Sequence, residues 1–129
     1  MREIKFRAYD TYTKTMLPVV DIIKFTKSED LYITQDGAYG VGINIQYQPY
    51  IELMQYTGLK DKNGTEIYEG DILKYMAIAD GEQIDKVIFD RGTYVVDYSE
   101  DYKQPVNEIN HCAEVIGNIY DNPELLKGE

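Results

Sequence analysis

The sequence is short of the residues on which much protein chemistry depends. One cysteine and one histidine leave no internal disulfide, no C-x-x-C pair and no Cys/His zinc cage. Ser28 and Ser99 are the two serines, and neither stands in a G-x-S-x-G elbow, so nothing supports a hydrolase triad. Cations are also scarce. The 13 Lys and Arg against 23 Asp and Glu leave a formal charge of -10, which opposes non-specific attraction to phosphate backbones or anionic lipid. Apolar runs extend only a few residues, as from Met16 to Val20, whereas crossing a bilayer takes roughly 20, so no membrane span is expected. Met1, Arg2 and Glu3 lead into no apolar h-region or small-residue cleavage site, so a cytoplasmic protein is expected, and the lone Cys112 fits a reducing compartment.

What is present suits one compact, mainly β domain. The chain has 129 residues, 43% of them apolar, enough to hold a core without metal or disulfide staples. Ile4, Phe6 and Ala8 alternate with Lys5, Arg7 and Tyr9, the period of a strand with one buried face. The polar stretch Asp10 to Thr13 permits a reversal into a second strand, Met16 to Phe25, whose Pro18 lacks a ladder donor and so predicts an edge position. Gly37, Gly40 and Gly42 then separate Leu31 to Thr34 from Ile43 to Tyr47, as another hairpin or a flexible loop.

Turn signals strengthen from Ile51. Asn63-Gly64 lies between Met54 to Leu59 and Thr65 to Tyr68, suiting a type I′ hairpin. Ile72 to Ile78, Ile84 to Phe89 and Thr93 to Tyr98 follow as a meander, then a polar loop from Ser99 to Asn107 and a last β-rich segment from Cys112 to Tyr120. Asn122-Pro123 caps a short helical turn through Leu126. These strands predict a small SH3-like or partly open barrel over roughly residues 51–120. Residues 1–50 would form an additional hairpin layer packed on the core, which with its tail occupies 51–129.

Three ordered blocks carry a resemblance: residues 1–10 (MREIKFRAYD), residues 53–64 with 67–72 (LMQYTGLKDKNG and IYEGDI), and residues 114–120 with 122–126 (EVIGNIY and NPELL). Together they resemble the YopX family. The resemblance implies a protein encoded by a bacteriophage or prophage, working in the cytoplasm of a bacterial host, in a family with no established activity. The motif positions are Gln55, Tyr56, Gly58, Leu59, Asp61, Asn63, Gly64, Tyr68, Glu69, Gly70, Asp71, Gly117, Asn118, Asn122 and Pro123, of unknown role.

Several constellations invite a chemical reading, and each has a simpler one. Asp61, Asn63 and Thr65 begin like a calcium loop, but the sixth and twelfth positions fall on Glu66 and Ile72, where a Gly turn and a bidentate acid are needed. A hairpin turn with a local Asp61 hydrogen bond is the simpler account. Glu66, Glu69 and Asp71 would hold a cation or act as an acid/base pair only if they converged; a solvated turn edge, bent at Gly70, is the alternative. Glu3-Ile4-Lys5 has half of a nuclease core but no earlier acidic strand. His111 and Cys112, as consecutive strand residues, would face opposite ways, leaving a packed thiol beside a surface imidazole. The glycines of residues 35–42 lack the Gly-Lys-Ser/Thr of a phosphate loop.

Tyrosine is the unusual component, with 13 Tyr against 3 Phe and no Trp. Such rings serve interfaces, and Tyr94, Tyr98 and Tyr102 would stack bases, anchor a protein or simply pack on a sheet. Charge is uneven too. Residues 1–27 hold 6 bases and 3 acids, net +3, and residues 80–129 hold 4 bases and 12 acids, net -8, which favours internal docking or a head-to-tail homo-oligomer. With no catalytic motif, the expectation is a non-enzymatic accessory protein without cofactor or metal, binding a host or phage protein. In one version its acidic surface mimics nucleic acid. The alternatives are a single-stranded nucleic-acid module and a metal-dependent hydrolase on Glu66, Glu69 and Asp71.

Overall fold

The computed structural model describes residues 3–24, 31–34, 43–44, 50–77, 80–99 and 102–126. The fold is mainly β, with a half-barrel curled sheet and one short helix. Two compact units divide the chain, Glu3–Gln55 and Tyr56–Glu129. The boundary falls inside one long strand because its two halves serve different partners.

In the first unit, β1 (Phe6–Asp10), β2 (Thr15–Lys24), β3 (Leu31–Thr34) and β4 (Ile43–Asn44) form a meander, and β1 also pairs with residues 51–55 of β5 (Ile51–Lys60). Ala8 and Val20 make its small core, flanked by Phe6, Leu17, Ile51 and Leu53. Two expectations need correction. Ile4 precedes β1 and is 64% exposed, so it is no core residue, while Tyr9, expected outside, is buried. Nor is β2 an edge strand, since it lies between β1 and β3. Its register skips from Ala8↔Leu17 to Phe6↔Val20, placing Pro18 in a bulge, the other setting where a missing N–H costs no ladder bond. Residues 35–42, which include Gly37, Gly40 and Gly42, lie outside the described residues.

The second unit holds the remainder of β5, then β6 (Glu66–Tyr68), β7 (Asp71–Ala77), β8 (Gly81–Asp90), β9 (Thr93–Val96), β10 (Gln104–Pro105), α1 (Val106–Ile109) and β11 (Glu114–Asn118). Five of these strands form a sheet in the order β10-β9-β8-β7-β11. Leu73, Tyr75, Val87 and Val96 point from it into a core closed by Ile67 of β6, Val106 and Ile109 of α1, and Ala113. Each fully buried aliphatic contributes roughly 1.5–3 kcal/mol. The stretch expected as a polar loop thus contains β10 and α1. Apolar Val106 and Ile109 stand one helical turn apart, so they bury the same face. The last strand is shorter than expected, because residues 110–112 form a 3₁₀ turn; a second such turn, Pro123–Leu126, follows β11.

The tight turns are exchanged relative to expectation. A type I′ turn needs positive φ at both central residues. At Asn63-Gly64 only Gly64 is left-handed (φ 84°), whereas the β8–β9 hairpin, with Asp90 opposite Thr93, has φ 52° at Arg91 and 83° at Gly92. The type I′ geometry therefore belongs to Arg91-Gly92.

Candidate functional site

The motif positions form a scaffold. Between the pairs Tyr56↔Tyr68 and Lys60↔Glu66, β5 carries two residues more than β6. Gly58 takes up the bend at φ 86°, and the buried Thr57 hydroxyl donates to the Ile67 carbonyl (2.7 Å) while accepting from the Leu59 amide (3.2 Å). Tyr56 and Tyr68 stack obliquely at 5.4 Å, and Gln55 pairs with Phe6.

Asp61 is the hub of the next turn. One carboxylate oxygen accepts the amides of Asn63 and Thr65, both at 2.9 Å, and the other accepts the amide of Val115 at 2.9 Å. Burial pushes its carboxyl up, but these three bonds and the Lys62 charge outweigh it and hold the group below its ordinary value. Asp71, also buried, accepts the Tyr68 amide across the Glu69-Gly70 turn, where Gly70 has φ 84° and donates to the Val87 carbonyl. At the far end Asn122 covers Gly117 and accepts the Asn118 amide, while Asn118 accepts the amides of Tyr120 and Asp121. Pro123 opens the final 3₁₀ turn. These residues recur because backbone groups need them.

Among the described residues no group of three or more His, Cys, Asp or Glu side chains could hold a metal ion, so Glu66, Glu69 and Asp71 do not assemble the expected alternative site. Asp71 is instead committed to a backbone amide. Cys112 lies in a 3₁₀ turn, not a strand, and is exposed rather than packed, its thiol donating to the Ile109 carbonyl; helical geometry replaces the alternation on which the expectation rested. Glu3 and Lys5 pair with each other at 3.6 Å on the surface.

One surface remains unexplained by folding. The β8–β9 tip carries Phe89, 54% exposed, with its ring edge-on to Tyr94 at 5.0 Å. Phe89 is two residues from buried Val87 and on the same face, so the strand runs past the end of its core. A groove of about 210 Å³ opens there between Phe89, Tyr94, Leu59, Thr57, Thr93 and Asn107. On the other side of β9, Asp90, Arg91, Val95, Tyr102, Lys103 and Pro105 line a second groove of about 310 Å³. Lys103 is held by Asp97 at 2.6 Å and by the Ser99 carbonyl. Arg91 has no ion pair or hydrogen bond among the described residues. Of the three tyrosines singled out earlier, Tyr98 packs on the core, and Tyr94 and Tyr102 line different grooves, so they form no single stacking platform. Phe89 escapes sequence reasoning because period-2 alternation assigns it to the buried face.

No helix among the described residues is long and apolar enough to cross a membrane. No curated protein matches the chain. A solved structure, the crystal structure of protein EF1440 from Enterococcus faecalis, matches with a TM-score of 0.71 and 33% identity, covering 98% of this chain and 99% of that one. The family described as YopX protein matches residues 5–127, nearly the whole chain. With the clasped turns that its motif positions build, this chain belongs to the YopX family.

Proposed function

We propose that this protein is a non-enzymatic protein-interaction module of a bacteriophage or prophage, and that the β8–β9 tip is its contact surface. The observation that carries this reading is Phe89, an exposed aromatic braced edge-on by Tyr94 and followed two residues later by an unpaired arginine. Aromatic residues and arginine supply most of the binding energy at protein interfaces, and a ring held by a neighbour loses little entropy on binding. The motif residues, occupied with backbone hydrogen bonds, leave the tip free to vary in its own chemistry. The test is crosslinking in bacterial cells followed by quantitative recovery of bound protein. Wild type should retain a stoichiometric protein that Phe89→Ser loses at least tenfold, with the variant still folded. Equal recovery by both, or retention of labelled oligonucleotide in place of protein, overturns the proposal.

A further inference from the structure

The groove at Phe89 has a size and a charge setting that specify what enters it. Its volume, about 210 Å³, is below the 300–1,000 Å³ usual for cofactor and small-molecule sites and matches one inserted side chain. Its walls are two aromatic rings and Leu59, and its polar groups, Thr57, Thr93 and Asn107, are uncharged. Thr57 is already engaged with backbone, which leaves Thr93 and Asn107 to meet an incoming main chain. The surroundings are acidic. Asp90 precedes the turn, Glu108 follows Asn107, and residues 80–129 sum to -8, with 4 bases and 12 acids. Glu108 is hydrogen-bonded to Gln104 but keeps its charge in that bond, and Asp90 has no partner among the described residues. Arg91 is the one opposing charge at the tip.

We infer that the Phe89 groove receives an apolar side chain from a basic segment of a partner protein, with Lys or Arg beside the inserted residue. This rests on the tip being the contact surface and names the chemistry that it recognises. A cation next to the inserted group gains from the acidic field and from the faces of Phe89 and Tyr94, while an acidic segment meets repulsion. The field steers encounter, and the ring contact fixes the bound register.

The minimal probes are phenethylammonium and phenylacetate, the same ring carrying opposite charge, titrated into the labelled full chain and followed by amide chemical shifts. Phenethylammonium should produce saturable shifts at Thr57, Phe89, Gly92, Thr93, Tyr94 and Asn107, weakened by added salt. Phenylacetate should bind at least tenfold more weakly. Phe89→Ser should abolish the response while resonances remote from the tip keep their positions, and the double variant Asp90→Asn with Glu108→Gln should bring the two probes within threefold of each other. Equal response to both probes, stronger binding of phenylacetate, or shifts that survive Phe89→Ser would each overturn the inference. If the probes discriminate while no protein is recovered by crosslinking, the groove's chemistry stands and the protein-partner reading falls. If protein is recovered through Phe89 but the probes do not discriminate, the reverse holds.

Discussion

The carboxylate of Asp61 accepts the backbone amide of Val115 at 2.9 Å across 54 positions of sequence, tying the β5–β6 turn to the start of β11. A second bond runs alongside it, from the Lys62 amide to the Ala113 carbonyl at 3.0 Å. The side chain best placed to look like a metal ligand is thus a clasp between two backbone segments.

Replacing Asp61 should therefore be among the more destabilising polar substitutions. Asp61→Ala leaves three amides without their acceptor, a loss on the order of 3 kcal/mol or more, and Asp61→Asn, which retains one acceptor oxygen, should lose less. Denaturant titration checks the order. The pH dependence has a definite sign. Because the folded carboxyl sits below its unfolded value of about 3.9, its contribution is present above that pH and disappears as pH falls through the folded value. The stability gap between wild type and Asp61→Asn should narrow in acid.

Tyr75 should behave in the opposite direction along the pH axis. Its buried hydroxyl donates to Asp85 at 2.8 Å; burial, that bond and the Asp85 charge all raise its pKa far above normal. The group stabilises the fold fully below the unfolded value of about 10, and the contribution is lost as pH rises beyond it. Alkaline titration of tyrosinate absorbance should find at least one of the 13 tyrosines protonated until the chain unfolds. Tyr75→Phe should cost about 1–2 kcal/mol at neutral pH and remove that tyrosine from the titration.

Gly117 and Asn122 should be energetically coupled. A Cβ at Gly117 would stand 2.6 Å from the Asn122 Oδ1 and 2.9 Å from its Cβ, so Gly117→Ala must displace the Asn122 side chain, at about 1–3 kcal/mol. Asn122→Ala alone loses the bond to the Asn118 amide. Thermal unfolding of both single variants and the double should show the combined loss smaller than the sum, and strict additivity would contradict the contact.

Arg91→Asn should stabilise the protein. Arginine at φ 52° carries the cost of a left-handed backbone, asparagine tolerates that region, and the Arg91 side chain forfeits no partner among the described residues. A gain of about 1 kcal/mol in denaturant unfolding is expected. Unchanged or reduced stability would show that the side chain makes a contact in solution.

Local chemistry was legible in the sequence wherever one or two residues decide the outcome. Alternation from Phe6 to Asp10 and the apolar run after Asp71 marked strands, Asp61 announced a side-chain turn, and Asn122-Pro123 a helical one, because each depends on backbone sterics within a few residues. Which of two glycine turns took the type I′ form was not legible. That depends on the offset between the paired strands, which Lys60↔Glu66 and Asp90↔Thr93 set differently. Pro18 shows the same limit: its missing donor was evident, but an edge and a bulge satisfy it equally, and only pairing on both sides of β2 separates them.

The sequence by itself determined a mainly β chain punctuated by turns, and the family to which it belongs, since both follow from short-range pattern. Tertiary structure alone decided that Asp61 reaches Val115, that Glu66, Glu69 and Asp71 stay apart, and that Phe89 emerges beyond the core. Those outcomes depend on where distant strands end against one another, and no local preference encodes that distance.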